Sequence, residues 1–222
     1  MCVRRCATIG FLLVLLTVVT DSAAARTCDE FSAATGQGHP TTRLGQSADS
    51  SGGASQSTPP AARRFWVRDS SRYRSDWYAG KHRKMVPFGC TRAPYYAPDP
   101  RCSNDRGFHH GLDIAMPCGT PLYAGLRGRV VKPASAGSLG SAYGPYAFRL
   151  RNSRLSVDIV IGHIRKVYVR AGDNVNRGRL VALASDQGAP DGCHLHFEVR
   201  PAGGQYDAAV APGSYLRLHR VG

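Results

Sequence analysis

Hydropathy divides the chain into zones. An apolar run from Ile9 to Val19 follows Arg4 and Arg5 and precedes Ala23-Ala24-Ala25. A charged start, a short apolar run and a small-residue cleavage site are the layout of a secretory leader, so residues 1–25 are expected to be a signal peptide. The run falls short of the roughly 20 residues a spanning helix needs, and no later segment reaches that length. No stable membrane span is therefore expected after cleavage, and the mature protein is expected outside the cytoplasm. Residues 26–62 are dominated by Ser, Gly, Ala, Thr, Gln and Pro, as in SADSSGGASQSTPP. Such a stretch buries too little apolar surface to offset its ordering entropy and reads as a flexible low-complexity linker.

From residue 86 to 222 the pattern changes to short apolar runs broken by turns. Strands are expected at Gly111–Met116, Pro121–Ala124, Gly128–Lys132, Ala147–Arg151 and Leu155–His163, then at Lys166–Val169, Leu180–Ser185, His194–Arg200 and Tyr215–Leu218. Turn signals separate them, among them Cys118-Gly119-Thr120, Ala171-Gly172-Asp173-Asn174 and Gln187 to Gly192. No long helical period and no internal repeat interrupts this pattern. It predicts an all-β, antiparallel sandwich or barrel-like domain, with the strand order left open.

Composition sharpens the picture at one place. Residues 63–85 form a basic, aromatic lead-in, RRFWVRDSSRYRSDWYAGKHRK over Arg63–Lys84. Its aromatics are Phe65, Trp66, Tyr73, Trp77 and Tyr78. Either these rings pack on the domain, or they offer stacking faces on a surface for anionic cell-envelope polymers. The whole chain carries a formal +14, which loss of Arg4, Arg5 and Asp21 with the leader lowers by one. Such a balance favours polyanionic partners. Export makes envelope polymers the expected class, and no nucleic-acid-binding motif is present.

Two histidine clusters carry the chemistry. In CHLHFEVR, His194 and His196 share one face of an expected strand, since side chains alternate. Far upstream, FHHGLDIAM supplies His109, His110 and Asp113. Two histidines and a carboxylate are a common catalytic zinc set with a fourth position open to water. In a straight strand His109 and Asp113 would stand roughly 13 Å apart, so the chain must bend between them, and Gly111 permits it. By spacing alone, either His109 or His110 can be the upstream ligand.

Cys2 and Cys6 leave with the leader, so five of the seven cysteines reach an oxidising compartment, where disulfides persist. Cys90 and Cys102 bracket a Pro- and Tyr-rich loop and are expected to pair. Cys118 and Cys193 each lie beside one histidine cluster and are expected to pair too. Cys28 is left over.

From Val86 to Arg200 the chain resembles the M23 zinc metallopeptidases of the lysostaphin (LytM) type, which cut peptide bonds in bacterial peptidoglycan. The motifs are PFGCTR at Pro87–Arg92, HHGLDIAMPCGTPLYA at His109–Ala124, GRVV at Gly128–Val131, IGHIRKVYVRAGDNVNRG at Ile161–Gly178 and GCHLHFEVR at Gly192–Arg200. The resemblance implies one Zn2+ per chain, held by His109, Asp113 and His196, and it favours His109 over His110. It also implies catalytic roles for His163 and His194, which assist a zinc-activated water. Here the local sequence is IGHI, with Ile161 where the family often has Tyr. The absence of HExxH means that no glutamate is offered as general base, and histidine is the other side chain that trades protons near neutral pH. Glu198 shares the parity of His194 and His196 and is a candidate partner behind a ligand. The expected function is a secreted zinc endopeptidase acting on peptidoglycan stem peptides or cross-bridges. The alternative is a non-catalytic wall-binding or amidase-activating module of the same fold.

Overall fold

Strands make up nearly all the regular structure. The structure, a computed structural model, describes residues 64–131 and 139–222; the expected leader, the linker and Cys28 lie outside them. In the first part of the chain the strands are β1 (Arg72–Ser75), β2 (Tyr78–Lys84), β3 (Gly89–Thr91), β4 (Gly107–His109), β5 (Gly111–Ala115), β6 (Pro121–Tyr123) and β7 (Gly128–Val131). The second part gives β8 (Phe148–Asn152), β9 (Val157–Gly162), β10 (Ile164–Arg165), β11 (Asn174–Val175), β12 (Leu180–Ala184), β13 (His194–Pro201) and β14 (His219–Val221). A single α-helical turn, α1 (Gly213–Leu216), precedes β14.

Twelve strands join one antiparallel sheet in the order β10-β12-β6-β2-β5-β13-β9-β8-β7-β11, with β1 pairing β2 and β14. The sheet curls as a half-barrel, matching the expected all-β class. β3 and β4 form a separate two-stranded ribbon. At the centre β13 pairs with β5 on one side and β9 on the other, which sets His196 opposite both Asp113 and Gly162.

Side-chain alternation divides β13 into two faces. Leu195, Phe197 and Val199 enter the apolar core with Leu112, Ile114, Ile159 and Ile161. Trp77 meets Phe197 edge-on with centroids 4.7 Å apart, and its indole N–H donates to the Tyr215 carbonyl at 2.9 Å. Gly125 makes room for that indole, since a Cβ there would stand 2.4 Å from Trp77 Nε1. His194, His196, Glu198 and Arg200 occupy the other face and are buried as well.

The basic lead-in is part of this sheet. It supplies β1 and β2, and Arg83 and Lys84 pair with Ala115 and Ile114 of β5. Trp77 and Tyr78 are only 1% and 3% exposed, so these two rings are core and offer no stacking face. Arg83 lies over the Phe65 ring, 4.2 Å from its centroid. The polar residues on the outer face of β2 break up its hydrophobic signal. Two expected strands also differ. Lys166–Val169 lies outside the strands, with β10 formed just before it, and Tyr215 and Leu216 lie in α1. There the Pro212 carbonyl accepts from both Tyr215 N and Leu216 N, and Arg217 closes the turn at φ 50°.

Two disulfides brace the loops around the central strands. Cys90 of β3 bonds Cys102, with Cα atoms 5.5 Å apart. Cys118, after β5, bonds Cys193, the residue before β13, with Cα atoms 5.2 Å apart.

Candidate active site

The chain breaks at His110, between β4 and β5, and this bend lets His109 and Asp113 face the same point. His109 Nε2 lies 3.3 Å from Asp113 Oδ1 and 3.1 Å from His196 Nδ1. His196 Nδ1 lies 2.9 Å from Asp113 Oδ1. His196 approaches the backbone of β5 so closely that a Cβ on Gly111 would stand 2.5 Å from its Cε1. The glycine in HHGLD therefore serves close approach as well as the bend.

Hydrogen bonds fix where the protons sit. His109 Nδ1 donates to the Pro87 carbonyl at 2.9 Å, which leaves Nε2 with its lone pair. His196 Nε2 donates to Glu198 at 3.1 Å, which frees Nδ1. Two imidazole lone pairs and a carboxylate oxygen thus converge, and acceptors alone cannot satisfy one another. Ligands about 2.0–2.1 Å from a tetrahedral zinc stand about 3.3 Å apart, close to the spacing here. The residues fit such an ion. Without one, a proton takes its place: burial opposes a charged His196, but Asp113 and Glu198 outweigh it and hold the imidazole up at about 9. Burial likewise opposes ionised Asp113, yet the surrounding histidines hold its carboxyl well below the usual range.

Behind His196 runs a buried polar chain. Arg200 Nε donates to Glu198 Oε1, and Tyr143 OH donates to Glu198 Oε2 at 2.9 Å. Arg200 Nη2 in turn donates to the Tyr143 hydroxyl oxygen at 2.9 Å. Burial disfavours the Glu198 carboxylate, but His196 and Arg200 overcome this and hold it at about 2. Partners of this kind orient a metal-binding imidazole and fix its tautomer.

His163 and His194 lie together on the other side, ring centroids 4.3 Å apart. His163 lies between β9 and β10 at φ 51°, a left-handed conformation, and its ring lines the cleft. Its Nδ1 donates to the Gln187 carbonyl at 2.9 Å, and His194 Nδ1 donates to the Gly192 carbonyl at 2.8 Å. Both Nε2 atoms are left as proton acceptors. His194 Nε2 is buried with no hydrogen-bond partner and lies 3.7 Å from Asp113 Oδ2. Burial, with His194 beside it, pushes His163 down to about 3, so its ring is neutral at neutral pH.

His110 is not among these groups; it meets Arg101 Nη2 at 3.0 Å and the ring of Tyr206. Four residues of the site escaped sequence reasoning. Arg200 was legible in principle from its parity with His194, His196 and Glu198. Tyr95 and Tyr96 come from a loop and Tyr143 from a short 3-10 turn, and nothing local to them marks the site. Tyr96 stacks near His109, and Tyr95 OH donates to Asp191 at 2.6 Å. Cavities of about 160 Å³ and 250 Å³ flank the histidines, and Tyr96, Ala142 and His163 line both.

Comparison with known proteins agrees with this geometry. Residues 107–208 match peptidase family M23. The chain is similar to the peptidoglycan DD-endopeptidases ShyA and ShyB of Vibrio cholerae, at 31% and 34% identity over 103 residues. That span is 46% of this chain but only 23% of each relative. Among solved structures it is similar to LytU, with a TM-score of 0.50 and 25% identity, covering 60% of this chain and 83% of that one. The stretch that runs from β4 to β13 is thus an M23-type peptidase domain.

Proposed function

We propose that this protein is an extracytoplasmic zinc endopeptidase that hydrolyses peptide bonds in bacterial peptidoglycan. The observation that carries the reading is the convergence of two imidazole nitrogens and a carboxylate oxygen beside the paired rings of His163 and His194. His109 Nε2, Asp113 Oδ1 and His196 Nδ1 would hold the zinc. Zinc bound there supplies a Lewis acid that polarises the scissile carbonyl and lowers the pKa of a water to about 7. Nε2 of one of the pair, His163 or His194, accepts the proton of the water whose oxygen attacks the carbonyl carbon, while the other ring orients that water. The protonated imidazole then donates a hydrogen bond to the oxyanion and passes its proton to the leaving nitrogen as the C–N bond breaks. Each Nδ1–H stays on its backbone carbonyl throughout, so neither ring must rotate between steps. The leader-like start and the relatives' names support an envelope substrate, and all five histidine and aspartate positions of the family pattern are filled.

The test is digestion of peptidoglycans of defined cross-link with mass analysis of the released peptides. DD-cross-linked material is the first substrate, because ShyA and ShyB are DD-endopeptidases. Release by the wild type and none by His196→Ala is the expected result. Binding to the wall without any peptide release would replace the enzyme reading with a non-catalytic module.

A further inference from the structure

At the far end of the β8–β9 hairpin lies a second, larger cavity of about 540 Å³. Asn152 pairs with Val157, five residues along β9 from Gly162, so the candidate active site is roughly 16 Å away along the strand. Arg127, Arg129, Arg151 and Arg154 line the cavity with Asn174 and Asn176, and no acidic residue does.

The wall of this cavity concentrates basic side chains. Arg129 stands directly opposite Arg151 across β7 and β8. Like charges in register across strands are destabilising. Asp158 neutralises Arg151 through two bonds of 2.7 and 2.8 Å. Arg127, Arg129 and Arg154 are exposed and have no ion pair or side-chain hydrogen bond among the described residues. Their backbones are nonetheless fixed. Asn152 Nδ2 donates to the Arg127 carbonyl at 2.8 Å, and its Oδ1 accepts from Leu155 N at 2.8 Å. One side chain thereby ties the Arg127 loop to the turn that carries Arg154.

We infer that this cavity is a subsite for the phosphate groups of an envelope phosphodiester polymer. Arg127 and Arg129 flank Gly128 at the start of β7 and Arg154 comes from the β8–β9 turn. Guanidiniums thus line the cavity from two segments, which suits a tetrahedral oxyanion that accepts from several directions better than a planar carboxylate. The volume takes more than one phosphate unit, so a chain of them is the fitting ligand. The choice of an envelope polymer rests on the extracytoplasmic function proposed above. Holding such a polymer far from the histidines would keep the enzyme at the wall between cuts.

The experiment measures binding of poly(glycerol phosphate) to the protein by anisotropy across a salt series. The variants are R127Q/R129Q/R154Q and, as a control of equal charge loss, R68Q/R72Q/R74Q on the exposed side of the lead-in. The first variant should lose at least about tenfold in affinity and show a shallower salt dependence, while the control keeps wild-type binding. Both variants should melt like the wild type and release peptide from a small soluble cross-linked substrate at its rate. Equal loss in the control would mean a general charge effect and overturn the site. Tighter binding of duplex DNA at matched phosphate would overturn the ligand class, as would equal competition by inorganic phosphate. If peptide release failed in every protein while the binding difference held, the enzyme reading would fall and the subsite would stand.

Discussion

The two faces of β13 are buried alike but held by different forces. On one, Leu195, Phe197 and Val199 pack among Ile114, Ile161 and Trp77, where any apolar group of the right shape contributes. On the other, His194, His196, Glu198 and Arg200 lie beneath a polar cleft, and most of their polar atoms are held by a specific partner. Burial on that face is tolerated because charges and lone pairs are matched, and removing one member leaves another exposed to a low-dielectric surrounding. Packing energy thus supports the strand from behind while a polar chain aims it in front. The exception on the polar face is His194 Nε2, which has no hydrogen-bond partner and lines the cleft.

Substitutions that separate the faces should show this division, beginning with the largest effect on the reaction. His196→Ala is expected to lose zinc and reduce hydrolysis to background, while His110→Ala keeps the metal; elemental analysis of the purified proteins reads both. Zinc retained at full stoichiometry in the first variant would defeat the ligand assignment. His163→Ala and His194→Ala are expected to keep zinc and lose at least about 100-fold in rate, the lower range for general acid–base catalysis. An unchanged rate in either would remove that residue from proton transfer.

Glu198→Gln tests the chain behind the ligand. It should weaken zinc binding by about 10–100-fold, read by competition with a chelator. It has a pH signature as well. The folded pKa of Glu198 lies at about 2, below its usual 4.5, so its contribution to stability is complete above about 4.5 and fades as pH falls towards 2. Acid unfolding of the metal-free protein should therefore be shallower in Glu198→Gln over that window, and identical profiles would dismiss the coupling. Phe197→Ala should affect the site least. It is expected to cost about 3–5 kcal/mol of stability, seen as a lower melting temperature, while the folded fraction keeps full zinc. Loss of metal without loss of stability would show that the two faces are not separable.

Much of this division could be read from the chain in advance. Period-two alternation in HLHFEVR gives two faces whatever the fold, and HHGLD placed a bend where β4 and β5 part. Tyr143 could not be found this way, because it reaches Glu198 across 55 positions from a short 3-10 turn. The same holds for Tyr95 and Tyr96, which Cys90–Cys102 keeps near the histidines. The strands of the lead-in were hidden for another reason. Half of β2 is polar, and only the folded sheet, where Tyr78 pairs with Leu122 of β6 and Trp77 meets Phe197 of β13, shows that these two rings face the core.

By itself the sequence determined the strand-rich class, the residue types of the two histidine clusters and the parity that puts His194 and His196 on one side, because strand class and parity follow from spacing along one extended backbone. The tertiary structure decided what spacing cannot reach. It set β5 and β9 on either side of β13, turned His109 rather than His110 towards Asp113 and His196, and fixed imidazole N–H groups on a distant carbonyl or a carboxylate. Those choices depend on contacts between residues far apart in the chain, and only a folded sheet brings such residues within hydrogen-bond reach.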